Sequence, residues 1–367
     1  MRIDFSGKLV DEPEIRAGFI GCGAHAFRNI YPAFQFAPVN LAATCDLDLS
    51  KAKAFAEKFG AEQAYGDYRE MLEKADIDAV FIVTNLDKQL RPYYAKFAVD
   101  CLEAGKHVWM EKPATVTCAE VDTMKAAAEK NGKIGMVGLK RMFVPAAEKA
   151  KELMDAPEFG GTSVVTMTTT KYVPTPEAVA QYVAGEGNPD KAGQLLGHFW
   201  HPVSSLLLFL GMPKTLNWTR SEAGGALLTF TFDSGAIASL VFAWRSSDNG
   251  GIERIMIHSA SKSQHIMIDN NIRLYYQRGG QPGPFGTIPN YYIQPPEEVS
   301  AMWEPEFSLG NVFNKGLFLM GFWGEVQEFA NAILQKRKPA KGHLEHAWQC
   351  ARIFEALGEG TGRVITL

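Results

Sequence analysis

The sequence predicts an α/β chain in two parts: a doubly wound parallel sheet, followed by an α+β domain with a large, mostly antiparallel sheet. Three observations carry that expectation. Short apolar runs alternate with helical stretches through the first 140 residues, a glycine-rich turn joins the first run to its helix, and from Gly161 the pattern changes to β-rich runs separated by turn-like clusters. At 367 residues the chain exceeds one typical core, and the division falls between residues 1–140 and 141–367.

Composition narrows the class of ligand. Hydrophobic residues make up 46% and charged residues 21%, the profile of a globular protein in water. The formal net charge is -4, and no Lys/Arg cluster interleaves with aromatics, so no nucleic-acid partner is expected and small molecules become the default. The N-terminus lacks an apolar signal-like stretch, and the later apolar run Leu206 to Leu210 is far too short to span a bilayer, which predicts no membrane partner and a cytoplasmic location. Cys22, Cys45, Cys101, Cys118 and Cys350 are scattered and odd in number, with no Cys-x-x-Cys pair. That argues against a disulfide framework or a zinc ribbon and reads them as small buried hydrophobes.

After a polar leader ending at Pro13, Ile15 to Ile20 reads as the first strand and Phe27 to about Phe36 as a helix, joined by Gly21-Cys22-Gly23-Ala24-His25-Ala26. Strand, tight glycine turn and helix in this order form the Rossmann arrangement. Gly21 permits the turn, Gly23 lets a pyrophosphate approach the backbone, and the small Ala26 allows close helix packing with the helix N-terminus facing the phosphates. Ala24 and His25 complete that cofactor-binding turn. A second run, Val39 to Cys45, ends at Asp46, at the spacing where an acidic residue accepts hydrogen bonds from an adenosine ribose. This favours NAD, because Asp46 repels a 2'-phosphate, while Lys51 leaves room for NADP. Asp46 can also serve as a helix cap or turn residue, and the two roles are compatible.

Helices are expected over Ser50 to Phe59 and Asp67 to Lys74, and Ile77 to Val83 forms a strand ending in Thr84-Asn85, whose side chains can hydrogen-bond a dinucleotide. A helix from about Tyr93 to Glu103 leads into Ala104-Gly105-Lys106-His107-Val108, a short buried strand, and the corner Glu111-Lys112-Pro113 at its carboxyl end. In an open parallel sheet, ligands bind outside the strand ends, so a lysine there, beside a carboxylate, faces a cofactor or substrate. The same tripeptide also fits a plain surface corner. Ala119 to Asn131, closed by Gly132, is a further helix, and Ile134 to Val137 a further strand.

Together, the glycine turn, Asp46, the lead-in to Glu111-Lys112-Pro113, and Gly138-Leu139-Lys140-Arg141-Met142-Phe143-Val144-Pro145 resemble the Gfo/Idh/MocA oxidoreductases. The glycine turn is generic; the Glu-Lys-Pro segment with its lead-in is far more specific, and the resemblance covers nearly the whole chain. It implies a catalytic Lys112 beside the nicotinamide and the substrate hydroxyl, oriented by Glu111, with Lys140 or Arg141 lining the cleft. It also implies sugars, cyclitols and their derivatives as substrates.

In the second part, β-rich runs cover Thr162 to Tyr172, Gly225 to Phe232, Ala236 to Trp244, Arg254 to Ser259 and Gln264 to Asp269, with turns at Asp233-Ser234-Gly235 and Asp248-Asn249-Gly250-Gly251. Both phases of these strands carry apolar residues. One face packs on helices and the other lies against a partner subunit, predicting a homodimer or homotetramer through the C-terminal sheet. Between the first two runs, Ala192 to Leu206 resembles the family's helix bearing a histidine, which His201 matches. The aspartate usual four residues earlier is Gly197, and a common downstream acid is Ser204. Substrate contacts are therefore assigned to Lys112, Arg141, Tyr172, His198 and His201. His198 reads equally as a core histidine, and no metal is expected because no matching Cys or carboxylate set accompanies the two histidines.

The stretch 279–318, rich in Gly, Pro and aromatics including Tyr291, Tyr292, Trp303 and Phe313, reads as a surface excursion, an oligomer arm or a lid. Helices over Gly321 to Leu334 and Leu344 to Leu357 are expected to close the second domain. The function expected is an NAD-dependent dehydrogenase or reductase acting on a secondary alcohol of a sugar, cyclitol or glycoside, with His201 positioning the hydroxyl or sharing the proton work of Lys112. Two alternatives stand beside it: redox-neutral cleavage or rearrangement of a glycoside, with the hydride returned within one cycle, and a non-catalytic dinucleotide-sensing regulator.

Overall fold

The computed structural model describes residues 13–246, 252–278, 300–304 and 315–367. The leader before Pro13, the turn at 248–251, and Tyr291, Tyr292 and Phe313 lie outside them. The first sheet is built from β1 (Ile15–Ile20), β2 (Val39–Cys45), α1 (Leu49–Phe59), β3 (Gln63–Tyr65), α2 (Tyr68–Lys74), β4 (Ala79–Ile82), α3 (Tyr94–Glu103), β5 (His107–Met110), α4 (Cys118–Lys130) and β6 (Gly135–Val137). Its strand order is β3-β2-β1-β4-β5-β6, with every adjacent pair parallel. β4 is buried along its whole length, as expected of a strand covered on both faces. Side chains cap α1, α2 and α4 at their N-termini. Asp48 accepts the Ser50 N–H at the head of α1, Asp67 does the same for Arg69 at α2, and Thr117 with Glu120 forms a capping box on α4.

One helix departs from expectation. Residues 26–36 form a π turn over Ala26–Ile30, then a 3-10 helix over Tyr31–Phe36, instead of one α-helix. Pro32 accounts for the change: it has no N–H to give to the preceding turn and its ring crowds the carbonyl four residues back.

The second sheet follows α5 (Pro145–Asp155) and comprises β7 (Thr162–Thr169), β8 (Thr215–Arg220), β9 (Ala226–Thr231), β10 (Ile237–Phe242), β11 (Arg254–Ser259), β12 (His265–Asp269), β13 (Arg273–Gln277), β14 (Ala301–Trp303) and β15 (Val364–Thr366). Helices α6 (Pro176–Val183) and α7 (Ala192–Leu210) run between β7 and β8, while α8 (Lys315–Leu319), α9 (Phe322–Leu334) and α10 (Leu344–Leu357) precede β15. Among the described residues the order is β14-β13-β12-β11-β7-β10-β9-β8-β15, antiparallel except where β10 pairs with β7. β9 alternates buried and exposed along its length, so the sheet has a covered face and an open one. Phe199 of α7 stacks on Phe242 of β10, centroids 6.1 Å apart, on the covered face. The described part of the 279–318 stretch is β14, an edge strand, and the first residues of α8.

The C-terminal helices do not simply close the second part. α9 lies against β1 and the 26–36 segment, with Phe329 5.3 Å from Phe81 of β4 and the Trp323 indole N–H donating to the Phe36 carbonyl at 2.7 Å. α10 touches α4 and β6 as well as α6 and α7. Each carries one apolar stripe, and a stripe's periodicity does not say which sheet it meets. Among the described residues no helix is long and apolar enough to cross a membrane.

Candidate active site

Gly21 ends β1 with φ 107°, and a Cβ there would lie 1.9 Å from the Val83 carbonyl oxygen, so only glycine fits. The turn is tied to the next strand: the Gly21 N–H donates to the Cys45 carbonyl and the Cys22 N–H to Asp46 Oδ2, both at 2.8 Å. Asp46 also accepts the Asp48 N–H at 3.0 Å, while the cap of α1 falls to Asp48. Asp46 is thus a turn residue whose carboxylate stands beside the glycine turn, at the carboxyl end of β2. Whether this surface fits a dinucleotide is answered by its free features. Gly23 has nothing within 4 Å of its Cβ position, leaving the backbone open to close approach. Thr84 Oγ1 is buried without a hydrogen-bond partner, an acceptor and donor left to a ligand, and Asn85 beside it is exposed. Ala26 is fully buried, as close packing of this turn requires. The residues fit a dinucleotide.

The next two strand ends deliver the charged groups. Beyond β5, Glu111 is buried and holds the corner: its Oε2 accepts the Lys112 backbone N–H at 2.9 Å, and its Oε1 accepts His25 Nε2–H at 2.7 Å. Asn29 donates its amide to His25 Nδ1 at 3.0 Å, which fixes that tautomer. The Lys112–Pro113 peptide is cis. From this corner the Lys112 ammonium reaches α7 and donates to the Gly197 carbonyl at 3.3 Å. His201 follows one turn later on α7, and its own carbonyl accepts the hydroxyls of Ser204 and Ser205 at 2.9 and 3.4 Å. After β6, a 3-10 helix, Lys140–Phe143, points Lys140 at the Phe322 ring, 4.3 Å away, and pairs Arg141 with Glu253.

The cluster divides its protons by environment. Burial and the positive charges of Lys112, Arg141 and Lys140 push His201 well below its ordinary value, so its imidazole is neutral at pH 7. Burial, reinforced by Arg141, pulls Lys140 down to about 8. Burial alone would raise Glu111, but the hydrogen bond from His25, with the charge of Lys112, leaves it below the usual carboxylate range. Glu325 of α9 goes the other way: burial, then the neighbouring Glu111, hold it well above that range. The two neighbouring buried carboxyl groups are thus pushed in opposite directions.

Lys112, Lys140, Arg141 and His201 are therefore brought together, with Glu111 and His25 linking the corner to the glycine turn. His198 is exposed on α7 and near enough to weigh on His201. Tyr172 is engaged just ahead of α7: its hydroxyl donates to Asp190 Oδ1 at 2.6 Å and accepts from Arg220 at 2.8 Å. Among the described residues no group of three or more His, Cys, Asp or Glu is arranged to hold a metal ion. Sequence reasoning missed Glu325 and Glu253. The first had a signal, since an acid sits on the apolar stripe of Phe322, Val326 and Phe329. The second had none.

The GFO_IDH_MocA model, described as an oxidoreductase family with an NAD-binding Rossmann fold, matches residues 15–139. The dTDP-3,4-didehydro-2,6-dideoxy-alpha-D-glucose 3-reductase of Actinomadura kijaniata is 31% identical over 238 residues, 62% of this chain and 68% of the relative. Other curated relatives are spanned over 66% and 58% of their length. In fold, the chain is similar to a dehydrogenase from Chromobacterium violaceum (TM-score 0.75, 19% identity, 95% of both chains) and to the aldose-aldose oxidoreductase of Caulobacter crescentus (TM-score 0.72, 20% identity, 96% of this chain and 100% of that one).

Proposed function

Because this chain belongs to the Gfo/Idh/MocA oxidoreductase family, we propose that it moves a hydride between a nicotinamide dinucleotide and a secondary alcohol or ketone of a sugar, cyclitol or glycoside. The observation that carries the reading is the Lys112 ammonium at the carboxyl end of β5, 3.3 Å from the Gly197 carbonyl and one turn of α7 from His201. The glycine turn from Gly21 to Ala26, with Asp46, Thr84 and Asn85, holds the dinucleotide, and Lys140 lines the cleft next to it. When bound, the cofactor supplies the hydride acceptor or donor. Lys112 holds or releases the proton of the reacting oxygen at its Nζ. His201, neutral, accepts or donates one hydrogen bond and fixes the hydroxyl's direction, while Glu111 fixes the backbone from which Lys112 projects. NAD is favoured by the Asp46 carboxylate at the end of β2.

We assign residues 1–140 to cofactor binding and 141–367 to substrate binding and assembly, with α9 returning to the first sheet. A second copy of the chain covers the open face of the second sheet, where Leu227 and Ile237 are 42% and 50% exposed. The five cysteines are free, which accords with a cytoplasmic location. The test is a panel of sugars, cyclitols and glycosides incubated with NAD and with NADP, followed by absorbance and by product mass. Net NADH formation with a ketone product is expected. Turnover at catalytic NAD without net reduction assigns redox-neutral glycoside chemistry instead, and a panel without any product overturns both.

A further inference from the structure

We propose that Glu253 neutralises Arg141 and makes the substrate recess select uncharged, hydroxyl-bearing molecules over carboxylated ones. This rests on the reading of Lys112 and His201 given above and names the substrate class of that same site. A small recess beside His201 is lined by Arg141, Thr168, Thr169, Ser205, Glu253 and Asn271. Arg141 is only 15% exposed, and a guanidinium so buried needs a counter-charge. Standing bare in a substrate recess, it would take a carboxylate in two parallel hydrogen bonds, the geometry it fits best.

Glu253 already supplies the counter-charge. Its Oε2 pairs with the Arg141 guanidinium and accepts the Asn271 side-chain amide. The carboxylate is fixed from a hairpin: the loop between β12 and β13 carries Asn270 and Asn271 at φ 49° and 60°, a left-handed conformation that asparagine tolerates. That loop clamps the Glu253 backbone, with Glu253 N–H donating to Asn270 Oδ1 at 3.1 Å and Asn270 N–H to the Glu253 carbonyl at 2.8 Å. An incoming carboxylate would have to displace Glu253 or stand against its charge. The rest of the lining is Met167, Pro202 and Ile255 together with Thr168, Thr169, His201 and Ser205, whose hydroxyl donates to the His201 carbonyl, a mixed surface with no further charge to draw a carboxylate.

Calorimetric titration of the NAD-loaded protein with matched pairs, glucose against glucuronate and galactose against galacturonate, tests this. Wild type should bind the neutral member of a pair more tightly. Glu253→Gln, which keeps the shape and removes the charge, should shift the neutral-to-carboxylate Kd ratio by about tenfold toward the carboxylate. Asn271→Ala, which loosens Glu253 without touching the ion pair's charges, should shift it in the same direction by a smaller factor. A ratio unmoved in both variants, wild type preferring the carboxylates, or no binding of any member overturns the proposal. Absence of turnover across the panel with the binding shift intact would instead sink the hydride-transfer reading and leave the charge selection standing.

Discussion

The ammonium of Lys112 lies 3.3 Å from the carbonyl oxygen of Gly197, joining the carboxyl end of a parallel strand to the middle of a helix 85 residues further along the chain. A carbonyl can hold an ammonium in place without taking its proton, so the lysine is positioned while remaining able to exchange a proton with a substrate. Here a backbone group makes the contact, and a Cβ at Gly197 would meet nothing within 4 Å.

That open space predicts the outcome of Gly197→Ala. A glycine inside α7 costs backbone entropy, and no clash opposes a methyl group. The variant should be more stable by about 0.5–1 kcal/mol in urea unfolding, with the Lys112 contact retained. Destabilisation would mean that the position is filled in the working protein.

Glu325 predicts a pH-dependent effect on stability. Its folded pKa is raised well above the ordinary 4.5 by burial and by Glu111, so between those values the native state holds a proton that the unfolded chain has lost. Its contribution to stability is therefore full below pH 4.5 and is lost as pH rises toward the raised value. Glu325→Gln mimics the protonated acid. Its melting temperature should exceed that of the wild type at pH 8, and the gap should close toward pH 4. An equal gap at both pH values would show that Glu325 does not titrate in this range.

Asp46 predicts cofactor choice. Asp46→Asn removes the charge that repels a 2'-phosphate while keeping the side chain's shape beside the Cys22 N–H. The preference for NAD over NADP, read as a ratio of kcat/KM, should fall by about tenfold, the size of one charge-assisted hydrogen bond. A ratio left unchanged would assign Asp46 to the turn alone.

How much of this was legible before the structure depended on whether a feature is local. β1, β2 and β11 run over the residues expected, because a buried strand is a continuous or strictly alternating apolar run and its neighbours are turn formers. The glycine turn and the Glu-Lys-Pro corner were legible for the same reason. Strands β3, β14 and β15 have three residues each, too few to show a period, and were not read, nor were the longer β8 and β13, whose runs mix polar with apolar residues. Contacts between distant residues were beyond reach. His25 meets Glu111 across 86 positions, and the Arg141–Glu253 pair depends on a hairpin whose left-handed asparagines lie beyond Glu253. The corner was therefore readable, but its partners, Gly197 through a carbonyl and Glu325 through burial, came only with the fold.

Proton transfer by Lys112 is tested most directly by Lys112→Ala, with kcat on a turned-over sugar and the Kd for NAD measured on the same preparation. The expected result is a kcat lower by about 10²–10⁴-fold with the Kd for NAD within about twofold of wild type, since the dinucleotide is held at the glycine turn. Unchanged turnover in a variant that still binds NAD would contradict the assignment of Lys112 as the catalytic group.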